Sequence, residues 1–213
     1  MKQQFEQVTP AEIEKRSFEI IESELPHPLD PRLAPIIKRV IHTSADFDYA
    51  DNMYFSPDAV DVALTAIQKG ACIITDTNMA KAGINKKELK KYGGEVFCFM
   101  ADEDVAASAK QRGTTRAAVS MDKSCFIDRP VIFAIGNAPT ALVRLHELIT
   151  EGRISPLLII GVPVGFVNVV QAKELIMDTS TPCIVARGRK GGSNIAAAIC
   201  NALLYMLKDT SYV

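Results

Sequence analysis

The 213-residue chain has no excess of either charge: 24 basic side chains stand against 25 acidic ones, for a formal net charge of −1. A balanced total gives no chain-wide attraction for nucleic acid, although a local basic cluster can still hold a small anion. Cysteine is sparse and scattered. Cys72, Cys98, Cys125, Cys183 and Cys200 are nowhere closer than 17 residues, which excludes the paired spacing of zinc and redox motifs. Thiols inside apolar runs act as small hydrophobes, and the pattern suits a reducing cytoplasm. Only three histidines occur, His27, His42 and His146, and no pair has metal-ligand spacing, so no metal site is expected. Long apolar runs are missing too. The longest stretch, residues 157–170, is broken by Gly161, Pro163, Gly165 and Asn168, too short and interrupted to span a bilayer. The opening residues carry no apolar core of a signal peptide. A soluble, cytoplasmic protein with no membrane partner is expected.

Named catalytic and nucleotide motifs are also absent. A phosphate loop needs lysine after its glycines, whereas Lys190 precedes Gly191 and Gly192. The interval between Gly161 and Gly165 is wrong for a dinucleotide turn, and no nucleophile elbow occurs.

What is present reads as one globular α/β domain over residues 1–213, with residues 1–55 as a helical segment packed on it. Thr9, Pro10 and Glu12 suggest a capped helix start, followed by a helix that ends near Pro26. A second helix begins after Asp30-Pro31, its regular part delayed by Pro35, with Ile36, Ile37, Val40 and Ile41 as a buried stripe. A third follows Ser56-Pro57-Asp58 and stops at Gly70. Five short apolar runs come next: ACIIT from Ala71, EVFCFM from Glu95, VIFAIG from Val131, LLIIGV from Leu157 and CIVAR from Cys183. Without polar alternation, they read as strands buried on both faces of a parallel sheet. Helical patterns at 102–112, 140–149, 169–177 and 193–207 separate or follow them. The expected fold is a Rossmann-like, doubly wound, mainly parallel sheet of about five strands.

Two stretches carry chemistry. In KRVIHTSADFDY, Arg39, His42 and Asp46 are three and four residues apart. On a helix running that far they share one face, setting an imidazole, the side chain best suited to proton transfer at neutral pH, between a cation and a carboxylate. His27, in a turn, reads as solvated, and His146 as a packing or surface residue. The second stretch is RGRKGGSN. Arg187, Arg189 and Lys190 precede the glycine pair that opens the last helix, with Ser193 near its N-cap. Glycines let a ligand approach the backbone, a helix start offers free N–H groups, and the basic side chains add charge-assisted bonds. That combination suits a carboxylate or phosphate. Ligands of such sheets bind outside the carboxyl ends of the strands, where Asp76-Thr77-Asn78 and Gly136-Asn137 fall beside the basic turn. Arg116, from GTTRAAVS, follows no strand run and is expected at the same rim only as a further cation for an anionic ligand.

SFEII from Ser17, RVIH from Arg39, FSPD from Phe55, IGNAPTAL from Ile135, GVPVGFV from Gly161 and RGRKGGS from Arg187 resemble, in that order, the motifs of the precorrin-8X methylmutases of cobalamin biosynthesis. The resemblance runs from about residue 10 to 205. It implies a homodimeric isomerase that needs no cofactor and binds a corrinoid. The implied reaction moves a methyl group from carbon 11 to the adjacent carbon 12, giving hydrogenobyrinate or, with cobalt in the substrate, cobyrinate. The resemblance places the family's histidine, a proton donor and acceptor, on His42 and substrate contacts on Ser17 and Arg39. Gly192, Ser193 and the basic residues of the last loop complete the expected set. The segment TSADFDYADN leans toward the cobalt-containing branch. Two other readings stand beside it: a tetrapyrrole carrier without catalysis, and a nucleotide- or S-adenosylmethionine-dependent transferase. The transferase would want a glycine-rich turn after Thr75, where DTNMAKAG supplies only Gly83.

Overall fold

The computed structural model describes residues 6–10 and 12–208. The amino-terminal part forms α1 (Ile13–Glu24), α2 (Ala34–Ser44), the single turn α3 (Tyr49–Asn52) and strand β1 (Met53–Phe55). After α4 (Ala59–Gln68) come β2 (Cys72–Thr75), α5 (Asn78–Gly83), α6 (Lys86–Lys91) and β3 (Val96–Phe97). Helices α7 (Glu103–Arg112) and α8 (Arg116–Ser124) lead to β4 (Val131–Ile135) and α9 (Pro139–Thr150). The last described elements are β5 (Leu158–Gly161), α10 (Val169–Met177), β6 (Cys183–Ala186) and α11 (Ser193–Lys208).

The strands make one sheet in the order β1-β6-β5-β4-β2-β3, parallel except for β1. Both faces are covered, so each central strand sends alternate residues into two different cores. Ile132 and Ala134 of β4, Ile160 of β5 and Ile184 of β6 join one core with α2, α4 and α11. Phe133, Ile135, Ile159 and Val185 join the other with α8, α9 and α10. This two-sided burial is why the runs show no polar alternation. In α11, Ile195, Ile199, Leu203 and Leu204 are all essentially inaccessible. Against it lies the predicted stripe of α2, Ile36, Ile37, Val40 and Ile41, each at most 5% exposed.

The sheet has six strands among the described residues, one more than the five expected. The extra one, β1, falls at the end of the segment read as helical and pairs with β6 from Met53↔Ala186 to Phe55↔Ile184. Three residues without a β-branched run give no period-2 signal. Their strand character comes from a partner far along the chain. EVFCFM shrinks to the two residues of β3, paired only at the sheet edge. At the amino terminus, Thr9 gives its hydroxyl to the Glu12 carboxylate at 2.6 Å, and Glu12, not Thr9, occupies the N-cap.

Consecutive crossovers leave β2 toward β3 on one side and β4 on the other, so the order reverses between β2 and β4. Such a reversal opens a crevice above the strand ends. Facing it are Asp76-Thr77 after β2 and Gly136-Asn137 after β4.

Candidate active site

The crevice is set by a buried carboxylate. Asp76 is inaccessible; one oxygen accepts the N–H of Gly136 at 2.8 Å, the other those of Asn137 at 2.8 Å and Ala138 at 2.6 Å. Burial pushes this carboxyl above its ordinary pKa, while the three N–H donors pull the other way. The loop after β4 is therefore fastened to the end of β2, with the Asn137 side chain left exposed. Next to it, the Thr77 hydroxyl meets that of Ser193 at 2.8 Å. Gly136 packs so closely under the start of α11 that a Cβ there would stand 2.7 Å from the Gly192 carbonyl oxygen and from Ser193 Cα. Ser193 is the first helical residue, near the N-cap as the sequence suggested.

The basic loop 187–192 follows β6, two strands from β4 in the sheet, and reaches the crevice where it leads into α11. Arg187 lies over the Tyr54 ring at 5.1 Å and Arg189 over Phe166 at 5.5 Å, and both are exposed. Gly191, at φ 158°, leaves no room for a side chain: a Cβ would come 2.1 Å from the Val162 carbonyl oxygen. Lys190 does not project freely as the sequence suggested. Its ammonium bridges Asp46 at 2.6 Å and Asp48 at 2.5 Å, and these carboxylates hold its pKa well above the ordinary lysine range.

That bridge also corrects the expected triad. Helix α2 stops at Ser44, and Ala45 takes a left-handed conformation at φ 54°, so Asp46 leaves the face of Arg39 and His42 and turns to Lys190. The two remaining residues stay one turn apart. His42 is exposed in the last turn of α2, its ring 5.3 Å from that of Phe18. Arg39 pairs with Glu14 and lies between Phe18 at 4.9 Å and Tyr205 at 5.0 Å. Because Arg39 meets Tyr205 late in α11 and Asp46 meets Lys190 just before α11, the two helices are antiparallel. His42 stands a turn nearer the rim than Arg39. Phe18, Lys38, Arg39 and Tyr205 line a cavity of about 310 Å³. Ser17, on α1, bonds back to the Ile13 carbonyl at 2.8 Å.

Of the residues singled out in the sequence, the structure joins Asn137, Gly192, Ser193, Arg187, Arg189 and Lys190 along one rim. Ser17, Arg39 and His42 form a second group on α1 and α2, tied to the first through Asp46 and Lys190. Arg116 opens α8, exposed; its neighbour Thr115 meets the Thr140 hydroxyl of α9 at 2.9 Å, which brings it to the same end of the sheet. His27 is exposed and bonds Asp51 at 2.8 Å, and His146 is half-buried on α9. Sequence reasoning placed Asp76 and Thr77 at the strand-end rim but gave neither a task, and it missed Lys173. An acid directly after a short, mostly apolar strand was the available signal for the task of Asp76. All five cysteines are free thiols, four of them buried. Among the described residues no cluster of three His, Cys, Asp or Glu could hold a metal, and no helix is long and apolar enough to cross a membrane.

Fold and rim together define an α/β protein with a basic, glycine-rich rim above its strand ends, chemically suited to a small anion, and an exposed imidazole on the flanking helix. The family model described as CbiC, precorrin-8X methylmutase, matches residues 12–206. The chain belongs to that family, the methyl-shifting isomerases of cobalamin biosynthesis. It is 46% identical over 197 residues to the cobalt-precorrin-8 methylmutase of Priestia megaterium, covering 92% of this chain and 88% of that protein. The protein of the same name from Salmonella typhimurium is 42% identical, with 94% and 97% covered. The precorrin-8X methylmutase of Pseudomonas aeruginosa is 38% identical, with 80% and 83% covered. A crystal structure of precorrin-8X methylmutase from Thermus thermophilus superposes with a TM-score of 0.85 at 39% identity, covering 93% of this chain and 98% of that one. Membership in an isomerase family sets aside both the carrier and the transferase readings.

Proposed function

We propose that the protein converts cobalt-precorrin-8 to cobyrinate by moving a methyl group between adjacent ring carbons, with His42 as the proton donor and acceptor. A sigmatropic shift of this kind needs neither a nucleophile nor an electron carrier, so the reading assigns no cofactor; cobalt belongs to the substrate. It needs a rigid seat for the macrocycle and a proton placed to redistribute charge in the conjugated system. One positioned acid contributes about 10²–10⁴-fold, and orientation supplies much of the remainder. The observation that carries the assignment is the exposed imidazole at the rim end of α2, held against Phe18 and joined to the basic loop through Asp46 and Lys190.

The acetate and propionate arms of the substrate are assigned to Arg187, Arg189, Arg116 and Asn137, to the Ser193 N–H that opens α11, and to the close backbone approach that Gly192 allows, its own N–H being taken by the Val162 carbonyl at 2.8 Å. A helix start and guanidinium groups both favour carboxylates. Ser17 and Arg39 are assigned to the arms nearest His42. For Arg39 this means exchanging Glu14 for a substrate carboxylate. The cobalt-containing substrate is favoured by the cobalt-precorrin-8 name of the relatives at 46%, 43% and 42% identity. The reading includes a homodimer. Val164, Phe166 and Val167 are 46%, 81% and 78% exposed beside Arg189, an apolar strip that a second chain can cover while closing the site. The test is the absorption spectrum of purified protein incubated with the substrate, with and without cobalt. Conversion by the parent protein and none by His42→Ala, with product affinity retained, is expected. Turnover by His42→Ala within a few-fold of the parent removes His42 from the mechanism.

A further inference from the structure

Lys173 takes no part in this mechanism, yet it lies directly beneath the basic loop. It is 0% exposed in the middle of α10, where a lysine is rarely found without a paired charge. No carboxylate among the described residues pairs with it, and burial alone draws its pKa down to about 8. Its ammonium donates instead to two carbonyl oxygens of the loop, Gly188 and Lys190, each at 2.8 Å. A neutral donor could hold a turn at lower cost, since desolvating a cation is expensive. The retained charge needs another reason.

Peptide planarity supplies one. In a trans peptide unit the C=O and the following N–H point in opposite directions. With the Gly188 and Lys190 carbonyls drawn down to Lys173, the N–H groups of Arg189 and Gly191 face away from it. Neither N–H donates to any described backbone or side-chain acceptor. Position 191 must be glycine, because the Val162 carbonyl closes its Cβ direction. The loop that carries Arg187 and Arg189 thus presents two unpaired donors, with a buried positive charge behind them. One carboxylate would satisfy both donors and supply the missing counter-charge.

We infer that Lys173 is the positioning residue of a carboxylate seat: it turns the N–H groups of Arg189 and Gly191 toward one substrate arm and supplies the positive field beneath it. The inference rests on the reading of loop 187–193 as the substrate's anion site. It assigns Lys173 to affinity and leaves the proton step to His42.

The test compares the parent with Lys173→Met, which keeps length and packing but removes charge and donors, and with Arg189→Ala. Cobyrinate affinity is measured by absorption titration, the single-turnover rate at saturating substrate, and folding by urea denaturation. Lys173→Met should lose affinity by roughly 10- to 150-fold, the equivalent of one charge-assisted bond, while its saturated rate stays close to the parent's. Parent-level affinity in Lys173→Met with weakened binding in Arg189→Ala overturns the role of Lys173 but leaves the loop as the anion site. Parent-level affinity in both variants removes the loop itself, and the inference with it. Rate and affinity falling together with the urea midpoint would mark a merely structural lysine and also overturn it. Should Lys173→Met fail to fold, Lys173→Gln decides, since it keeps a donor without the charge: parent-level affinity there overturns the inference and reduced affinity supports it.

Discussion

Replacing Asp76 by asparagine separates the carboxylate's two tasks, fixing the loop after β4 and tolerating burial. The amide can keep its oxygen where Asn137 and Ala138 donate, or where Gly136 donates, but not both. The first orientation loses one bond and sets the new NH2 against the Gly136 N–H; the second loses two, so the first is preferred. An unsatisfied buried N–H costs about 1–3 kcal/mol, and two bonds reduced from charged to neutral acceptor lose about 1 kcal/mol each. Relief of carboxylate desolvation offsets part of this, which leaves a net loss of about 2–4 kcal/mol. With a urea dependence of about 2 kcal/mol per molar, the midpoint falls by about 1–2 M. The pH dependence gives a second check. Because the folded pKa lies above the ordinary 3.8, the folded state binds this proton more tightly. The contribution of Asp76 to stability is therefore full below 3.8 and is lost as pH rises through the folded value. Asp76→Asn should flatten that part of the profile. Urea titrations of both proteins at several acidic pH values measure both effects. An unchanged midpoint at neutral pH would refute the claim that Asp76 carries the loop.

Three further outcomes follow from the geometry. Burial pushes the Asp122 carboxyl up, but Arg112 at 2.6 Å and Arg144 at 2.7 Å outweigh it and leave its pKa below 3.8. The stability this cluster gives to α7, α8 and α9 is present above 3.8 and is lost as pH falls through the folded value. Asp122→Asn should cost about 1–3 kcal/mol at neutral pH and remove that acid limb, both read from urea midpoints. Gly136→Ala should lower stability by about 1–3 kcal/mol through overpacking and weaken cobyrinate binding, because its methyl meets backbone at 2.7 Å. Gly161→Ala, whose nearest neighbour is a Val185 methyl at 3.5 Å, should do neither. Arg187→Ala should weaken cobyrinate binding and reduce its salt dependence, whereas Lys190→Ala should weaken it less, since Asp46 and Asp48 already occupy that ammonium. Titration at low and high salt compares them, and equal losses would show that Lys190 leaves its carboxylates for the substrate.

The sheet was legible wherever a strand is buried on both faces. β2, β4, β5 and β6 match the apolar runs to within one or two residues because the period they lack is itself the signal. β1 was not legible, since an edge strand of three residues is defined by its pairing with β6 and not by its own pattern. The site divided in the same way. Glycines and arginines before a helix mark the loop 187–193 locally. The spacing of Arg39, His42 and Asp46 also looked local, but it assumed a helix two residues longer than the left-handed Ala45 permits. What Asp46 does is decided by a lysine 144 residues later, a pairing that no helical spacing contains. Lys173 was missed, and the loop-fastening task of Asp76 was not legible, for a related reason. In a sequence each is one ordinary charged residue, and burial alone gives it a task.

A nearly neutral chain can still offer a concentrated positive site, and the structure supplies the reason. Charges act over about 8–10 Å at physiological salt, so the total of −1 is irrelevant to a rim a few residues wide. Within that rim the negative groups are already engaged. Asp76 faces three backbone N–H donors, and Asp46 and Asp48 face Lys190. The cations are not balanced in the same way. Arg187 and Arg189 rest on aromatic rings, which support a guanidinium without consuming its hydrogen-bond donors in a carboxylate pair. Lys173 adds charge from below with only carbonyl partners. Lys190 then has a different duty from the arginines it sits beside. By holding the residues that follow α2, it couples the helix that carries His42 to the loop proposed to hold the substrate, so both ends of the reaction are referred to one frame.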